Sequence, residues 1–450
     1  MNTELTTLLD ELKVILAQHN QEMMGTFLDE NHAIDIALLF EDLEDEEILS
    51  FAGMVSDEEM ADILEQAEED DQDRIAGLID DIALLNIFSC MSKDDIVDII
   101  GRMKTDRKKR LIQLMKHDEK KNISKLLGYD EDSAGGIMNT EYIALRSDLN
   151  LNQAIDKIKQ IAPKTEVLET IFVVNNRKAL IGVCDLRDIL VNDAKATLGD
   201  IMDDNVISIY PEMDQSEASS LVSKYDLNAL PVVSHANVLL GIITLDDIID
   251  VMEAEYSEDI SRMAGTSEQE EIDSTLFESV KLRLPWLIVN LVTAFIASSV
   301  VKMFSGTIEQ VTALAVAMPI ASGMGGNAGT QTLSVLVRAI TLKEIELSTG
   351  WKKVIKQIGV GLINGFVTGI LAGTVLYFIY GNMYLGAIMV VAMIGNLMVA
   401  GIMGFLIPLI LEKLKFDPAL GSSIFVTTAT DCCGFLFFLG LATIMLKYLI

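Results

Sequence analysis

Asp431 is the only charged side chain between Pro418 and Leu446, a 29-residue stretch otherwise apolar or small. A carboxylate at bilayer depth costs roughly 2.5 to 3.5 kcal/mol on insertion scales, so such a residue marks an ion or proton pathway by default. The alternative is a bundle aspartate that is merely hydrogen-bonded. Thr427 precedes it by four residues, about 6 Å along a helix axis, and so shares its face. Carboxylate and hydroxyl oxygens are hard ligands, suited to Mg²⁺ or Ca²⁺ rather than soft metals. Mg²⁺ dehydrates reluctantly, and a wide site with one carboxylate and many waters suits it better than a Ca²⁺ cage. Asn327 and Gln331, four residues apart, add amide oxygens to one face of an earlier apolar stretch.

These groups need a membrane frame. Nearly uncharged runs cover 285–301, 311–337, 357–411 and the Asp431 segment, and the third is long enough for two spans with a turn at Tyr380-Gly381-Asn382. Five spans are expected, at about 285–305, 308–340, 353–380, 383–411 and 418–446. In the second, Pro319 with Gly323, Gly325, Gly326 and Gly329 predicts a break in the helix against a watery cavity, the alternative being close packing through small residues. Gly361, Gly365, Gly369 and Gly373 form a packing stripe in the third, and Gly395-Asn396 marks a polar position in the fourth.

With the N-terminus inside, the inner flanks hold Lys281, Arg283, Arg338, Lys343, Lys352, Lys353, Lys356, Lys413 and Lys415. The outer flanks hold only Lys302 and Lys447. The bias puts the N-terminus in the cytoplasm and the C-terminus outside. Trp286 and Trp351 fall at the inner interface and Tyr377, Tyr380 and Tyr384 at the outer one, as aromatic belts prefer. Met1-Asn2-Thr3-Glu4-Leu5 has no basic run before an apolar core, so no cleaved signal peptide is expected.

Residues 281–450 carry 11 Lys/Arg against 6 Asp/Glu, while 1–280 carry 23 against 61. That acidic soluble half argues against nucleic acid, which needs basic patches; it suits divalent cations, the alternative being that it serves solubility alone. Four scattered histidines give no readable zinc site, and Cys90, Cys184, Cys432 and Cys433 make no disulfide framework. No nucleophile–base pair appears, so an enzyme is not expected.

Residues 1–130 read as wholly helical. The segment from Ser56 to Leu64 recurs from Ser92 to Ile100, each opening on a Ser cap and an acidic first turn (Glu59 in one, Asp94 and Asp95 in the other). This repeat suggests a small superhelical stack. A second repeat pairs Ile137-Met138 with Ile201-Met202, and 171–183 with 230–243, with Asp188 matching Asp247. Each copy reads strand, helix, two short strands, helix. Beyond it, Asp247, Asp250, Glu255 and Glu258 fall along one side of an acidic helix, where a cation would relieve their repulsion; the alternative is an ordinary solvated linker helix.

The second repeat resembles a tandem CBS (Bateman) module, most specifically through Gly241-Ile242-Ile243-Thr244-Leu245-Asp246-Asp247. The resemblance implies that Thr244 and Asp247, with Asp188 in the first copy, hold the ribose of an adenine nucleotide such as ATP. Asp185 stands where the first copy needs the threonine. The whole chain resembles the MgtE magnesium-channel family: an acidic helical N domain, the CBS pair, Arg283-Leu284-Pro285-Trp286, Gly323-Met324-Gly325-Gly326-Asn327, and Asp417-Pro418-Ala419 followed by Thr428 and Asp431. Cys432-Cys433 departs from the pattern.

This resemblance implies a homodimeric Mg²⁺-selective channel of the bacterial inner membrane, with Asp431 binding the hydrated ion. It maps cytosolic Mg²⁺ sensing onto Asp226, Asp247, Asp250, Glu255, Glu258, Asp259 and Asp417, and nearer the N-terminus onto Glu59, Asp94 and Asp95. The expected domains are an acidic helical N domain at 1–130, CBS copies at 131–200 and 201–253, a connecting helix at 254–280 and an all-α membrane domain at 281–450. The competing reading is a proton- or anion-coupled secondary transporter regulated by nucleotide at the CBS module.

Overall fold

The computed structural model describes residues 3–162, 165, 167–267, 270, 274–341, 350–414 and 422–450. Residues up to Met252 form one compact unit and those from Glu253 another.

In the first unit, ten short helices from α1 (Thr3–Gln18) to α10 (His117–Leu126) build the N-terminal part. Both repeats there begin as expected, at α5 (Asp57–Glu65) and α8 (Lys93–Arg102). In both, the serine hydroxyl donates to the carboxylate three residues on, Ser56 to Glu59 at 2.7 Å and Ser92 to Asp95. The caps differ in that the Ser56 hydroxyl also accepts from the Glu59 amide at 3.2 Å, whereas the Ser92 side chain makes no cap bond to the backbone of its helix.

The CBS region follows. Strand β1 (Ala144–Arg146) pairs in parallel with β2 (Thr170–Val174), which pairs antiparallel with β3 (Leu180–Asp185). In the second copy β4 (Ala229–Val233) pairs with β5 (Leu239–Thr244), and the expected first strand shrinks to one bridge, Ile209 to Val232. Both hairpins slip register at equivalent places, Val173/Val174 and Val232/Val233.

The repeated Ile-Met pairs have a reciprocal role. Met138, ahead of the first copy, packs on Gly241 of the second, where an added Cβ would lie 2.8 Å from its sulfur. Met202, ahead of the second copy, packs on Gly182 of the first, at 2.5 Å. Each copy thus completes the other's sheet. One continuous apolar core runs from Leu12 in the N-terminal helices to Ile243 and Ile248 of the second copy.

Helix α15 (Leu245–Ala264) starts at the end of β5 and continues without interruption past Met252 to Ala264, so the CBS region leads directly into the acidic helix. The second unit then contains α16 (Leu276–Lys302), α17 (Ser305–Gln310), α18 (Ala313–Thr341), α19 (Gly350–Tyr380), α20 (Met383–Lys413), α21 (Ser422–Ile444) and α22 (Leu446–Leu449). Four of these, at 276–302, 352–380, 383–411 and 422–444, are long and apolar enough to cross a membrane. α18 is 29 residues long and more polar.

The expected break in the second span is absent: α18 runs unbroken through Pro319 and all four glycines. Two of them, Gly325 and Gly329, serve close packing instead, while Gly323 faces open space. A Cβ on Gly325 would meet the Asn396 amide nitrogen at 2.1 Å, and one on Gly329 would meet Val426 at 2.4 Å. The α19 stripe does the same along α20, with Gly361 against Leu397 O (2.4 Å), Gly365 against Ile394 Cα (2.6 Å) and Gly373 against Gly386 O (2.6 Å). Backbones that approach this closely gain contact where lipid offers no hydrophobic drive.

Candidate functional site

The membrane site is built where α18 and α21 cross. The Ser322 hydroxyl donates to the half-buried Asp431 carboxylate, and one turn away Gly326 faces Thr427. Successive contacts pair Ser322 with Asp431 and Gly329 with Val426, so the helices run antiparallel. No cationic side chain pairs with Asp431 among the described residues. Thr427 and Asn327 are exposed on this unit. Gln331 lies elsewhere, bordering a cavity of about 190 Å³ with Thr332, Gln357 and Asn364. Asp417, Lys343 and Lys415 lie outside the described residues, as does the side chain of Trp351.

Sequence reasoning missed Ser322, although it stands immediately before the quoted Gly323-Met324-Gly325-Gly326-Asn327 motif. It also missed how Asn396 supports it. Asn396 is fully buried and donates from Nδ2 to the Ala321 carbonyl at 2.8 Å, which fixes the turn preceding Ser322. Gly325 and Gly434 clear the space for its amide.

A second site lies in the first unit, where α8 meets the start of α15. Asp94 is buried and accepts from Asn139 Nδ2 at 3.1 Å. Asp247 accepts from the Thr244 hydroxyl at 2.5 Å, and Glu65 accepts from the Ser92 amide at 2.7 Å. Burial first, and mutual repulsion next, raise these carboxyls. Asp94 and Asp95 are pushed to about 6, and Asp98 and Asp247 to about 7. Asp95 is repelled by Glu65, Asp246 and Asp247, and Asp98 by Asp94 and Asp95.

Of the sequence candidates, this cluster unites Asp94, Asp95 and Asp247. It adds Glu65 and Asp98, which were not foreseen; the repeat maps Asp98 onto Asp62 and carried that signal. Glu59 instead closes the cap on α5, bonded to the Ser56 amide at 2.7 Å. Asp226 ends its helix in a left-handed conformation, exposed, and Asp250 is exposed one turn beyond Asp247. Glu255, Glu258 and Asp259 are half-buried on α15, with Glu258 paired to Arg262. Asp188 is half-buried at the end of the first copy, near the Cys184 thiol.

Carboxylate and hydroxyl oxygens with no sulfur or imidazole among them form a donor set for a hard cation. Among the described residues, no three His, Cys, Asp or Glu side chains converge tightly on one point.

A pH dependence follows. Because burial and mutual repulsion push Asp94 and Asp95 up to about 6 and Asp98 and Asp247 up to about 7 in the folded unit, against about 4 when unfolded, protonation favours the folded unit. Without divalent cation, its stability falls as pH rises from about 4 to 7 and stays low above that. Unfolding temperature in chelator should drop by about 5 °C between roughly pH 5.5 and pH 8. A rise over that interval would contradict the cluster.

Comparison with known proteins gives consistent matches. Residues 318–441 match the MgtE family, described as divalent cation transporters, 31–132 the MgtE intracellular N domain, and 134–194 and 198–254 the CBS domain. The chain is 31% identical to the magnesium transporter MgtE of Bacillus subtilis (strain 168) over 92% of each protein. It is 30% identical to that of Thermus thermophilus over 97% of this chain and 98% of the relative. Its fold is similar to the soluble part of a magnesium transporter (TM-score 0.53, 26% identity, covering 56% of this chain and 99% of the other). It is also similar to the cytosolic domain of the Mg²⁺ channel MgtE in complex with ATP (TM-score 0.52, 28% identity, covering 54% and 99%).

Proposed function

The chain belongs to the MgtE family of divalent cation transporters, and on that premise we propose that it conducts Mg²⁺ through a site centred on Asp431. One observation carries the reading: a half-buried carboxylate on an otherwise uncharged helix, held by a neutral hydroxyl and paired with no base among the described residues. A fixed negative charge of this kind attracts a dication that keeps most of its water. Thr427, one turn before it on α21, and Asn327 on α18, both exposed, supply further oxygens. A second copy of the chain would enclose that face, making the conducting unit a homodimer with α18 as its fifth span.

The protein sits in the cell (inner) membrane, with the acidic N-terminal unit in the cytoplasm and the C-terminus outside. Inside-negative potential drives a dication inward at about 4.6 kcal/mol per 100 mV, twice the single-charge value. No chemical step is required of the chain, and none is proposed.

Closure is feedback. Cytosolic Mg²⁺ settles among Asp94, Asp95, Asp98 and Asp247, and along α15 at Asp250, Glu255, Glu258 and Asp259. It offsets their repulsion and favours a closed arrangement. The metal moves that equilibrium only by its differential affinity for the two states, and a near-complete switch takes about 5.5 kcal/mol. Asp226, Asp417 and Glu59 are peripheral contributors. ATP at the CBS pair, through Thr244, Asp247 and Asp188, tunes the same element.

The test is Mg²⁺ flux into proteoliposomes at graded internal Mg²⁺, with and without ATP. Wild type should close as internal Mg²⁺ rises. A variant carrying Glu255→Gln, Glu258→Gln and Asp259→Asn should stay open over the same range. Closure at an unchanged concentration would remove α15 from the gate.

A further inference from the structure

The soluble half is strongly acidic except in one place. Residues 104–125 contain nine of the 23 Lys/Arg found in residues 1–280, against three acidic residues. They form α9 (Thr105–Leu114) and α10 (His117–Leu126), which pack together through buried Leu111, Ile123 and Leu126. Lys109, Arg110, Lys116, Lys121 and Lys125 are all exposed on these two helices, as is Leu114 at 58%. Local partners take some of the charge: Arg107 and Arg110 bond to Asp81 and Lys116 lies 3.8 Å from Glu119. Lys104, Lys109, Lys120 and Lys121 have no ion-pair partner among the described residues.

We propose that this face binds the anionic phospholipid surface of the membrane in which the chain is embedded. Exposed lysines on a helix pair that also exposes a leucine suit a headgroup layer, the charges on phosphates and the leucine among the upper acyl carbons. The chain also favours this partner over a soluble polyanion. The basic face is covalently joined to apolar helices long enough to span a bilayer, so lipid headgroups are present at high effective concentration. A nucleic acid has no such tether. The proposal needs only the membrane embedding and not the ion or its gating.

The test uses full-length protein in lipid nanodiscs, with a polarity-sensitive fluorophore on Leu114→Cys in a Cys90→Ser background. One set of discs is equimolar phosphatidylglycerol and phosphatidylcholine, the other phosphatidylcholine alone. The fluorophore should shift to the blue and be quenched by headgroup-labelled lipid in the anionic discs only. Molar salt should abolish the signal. Each lysine near an anionic leaflet strengthens association about fivefold (~1 kcal/mol). Replacing Lys109, Lys116, Lys120 and Lys121 with Gln should therefore weaken it on the order of several hundredfold and erase the signal. Equal signals in both disc types, or none in either, overturn the proposal. So does a response in phosphatidylcholine discs that requires added RNA, or one that tracks the number of protein copies per disc; these would assign the face to nucleic acid or to a second copy.

Discussion

Asp431→Ala should lower Mg²⁺ flux into vesicles by at least about a hundredfold while leaving the helices assembled. At about 5 Å and an effective dielectric near 20, a carboxylate and a dication attract by several kcal/mol. A pathway without that charge must hold a doubly charged ion in a low-dielectric wall with hydroxyls and amides alone. Asp431→Asn separates charge from shape, since its amide oxygen still accepts from Ser322. It should be nearly as inactive as the alanine variant. Neither should unfold the bundle, because removing a carboxylate from membrane depth relieves a cost of a few kcal/mol. Wild-type flux in either variant, at equal protein incorporation, would end the role assigned to this residue.

The second large effect lies in the acidic cluster. The double variant Asp94→Asn, Asp247→Asn should be more stable than wild type in chelator and gain less from added Mg²⁺. Asp94 raises the Asp247 carboxyl by direct repulsion, after burial. One pKa unit corresponds to 1.36 kcal/mol. With part of the gain lost to altered hydrogen bonds at Asn139 and Thr244, the double variant should gain about 2–4 kcal/mol at neutral pH. For a unit of this size the unfolding temperature should rise by about 5–10 °C. Calorimetry of the full chain with chelator and with saturating Mg²⁺ measures both quantities. A variant that is less stable without metal, yet responds fully to Mg²⁺, would show that these carboxylates are not what the cation relieves.

Much of this was legible in the sequence, for reasons that differ by site. Asp431 stood out because a lone charge in an apolar run needs no partner information to be conspicuous. The α19 glycines were read correctly because their four-residue spacing is itself the packing geometry. The α18 glycines were misread as a break. Glycine count reports backbone freedom, but what fills the space at Gly325 and Gly329 comes from Asn396 and Val426, about 70 and 100 residues later in the chain. The cluster was half visible for the same reason. Asp94, Asp95 and Asp247 were nominated, but their meeting with Glu65 and Asp98 depends on α8 lying against the start of α15. Local periodicity carries no such term.

The traded methionines of the CBS pair have a consequence for biosynthesis. As the ribosome releases the first copy, Gly182 waits for a sulfur about 20 residues downstream, while Met138 waits roughly 100 residues for its seat at Gly241. Neither copy is a finished folding nucleus on its own. The nascent module is expected to stay protease-sensitive until β5 emerges, and then to close in a single step.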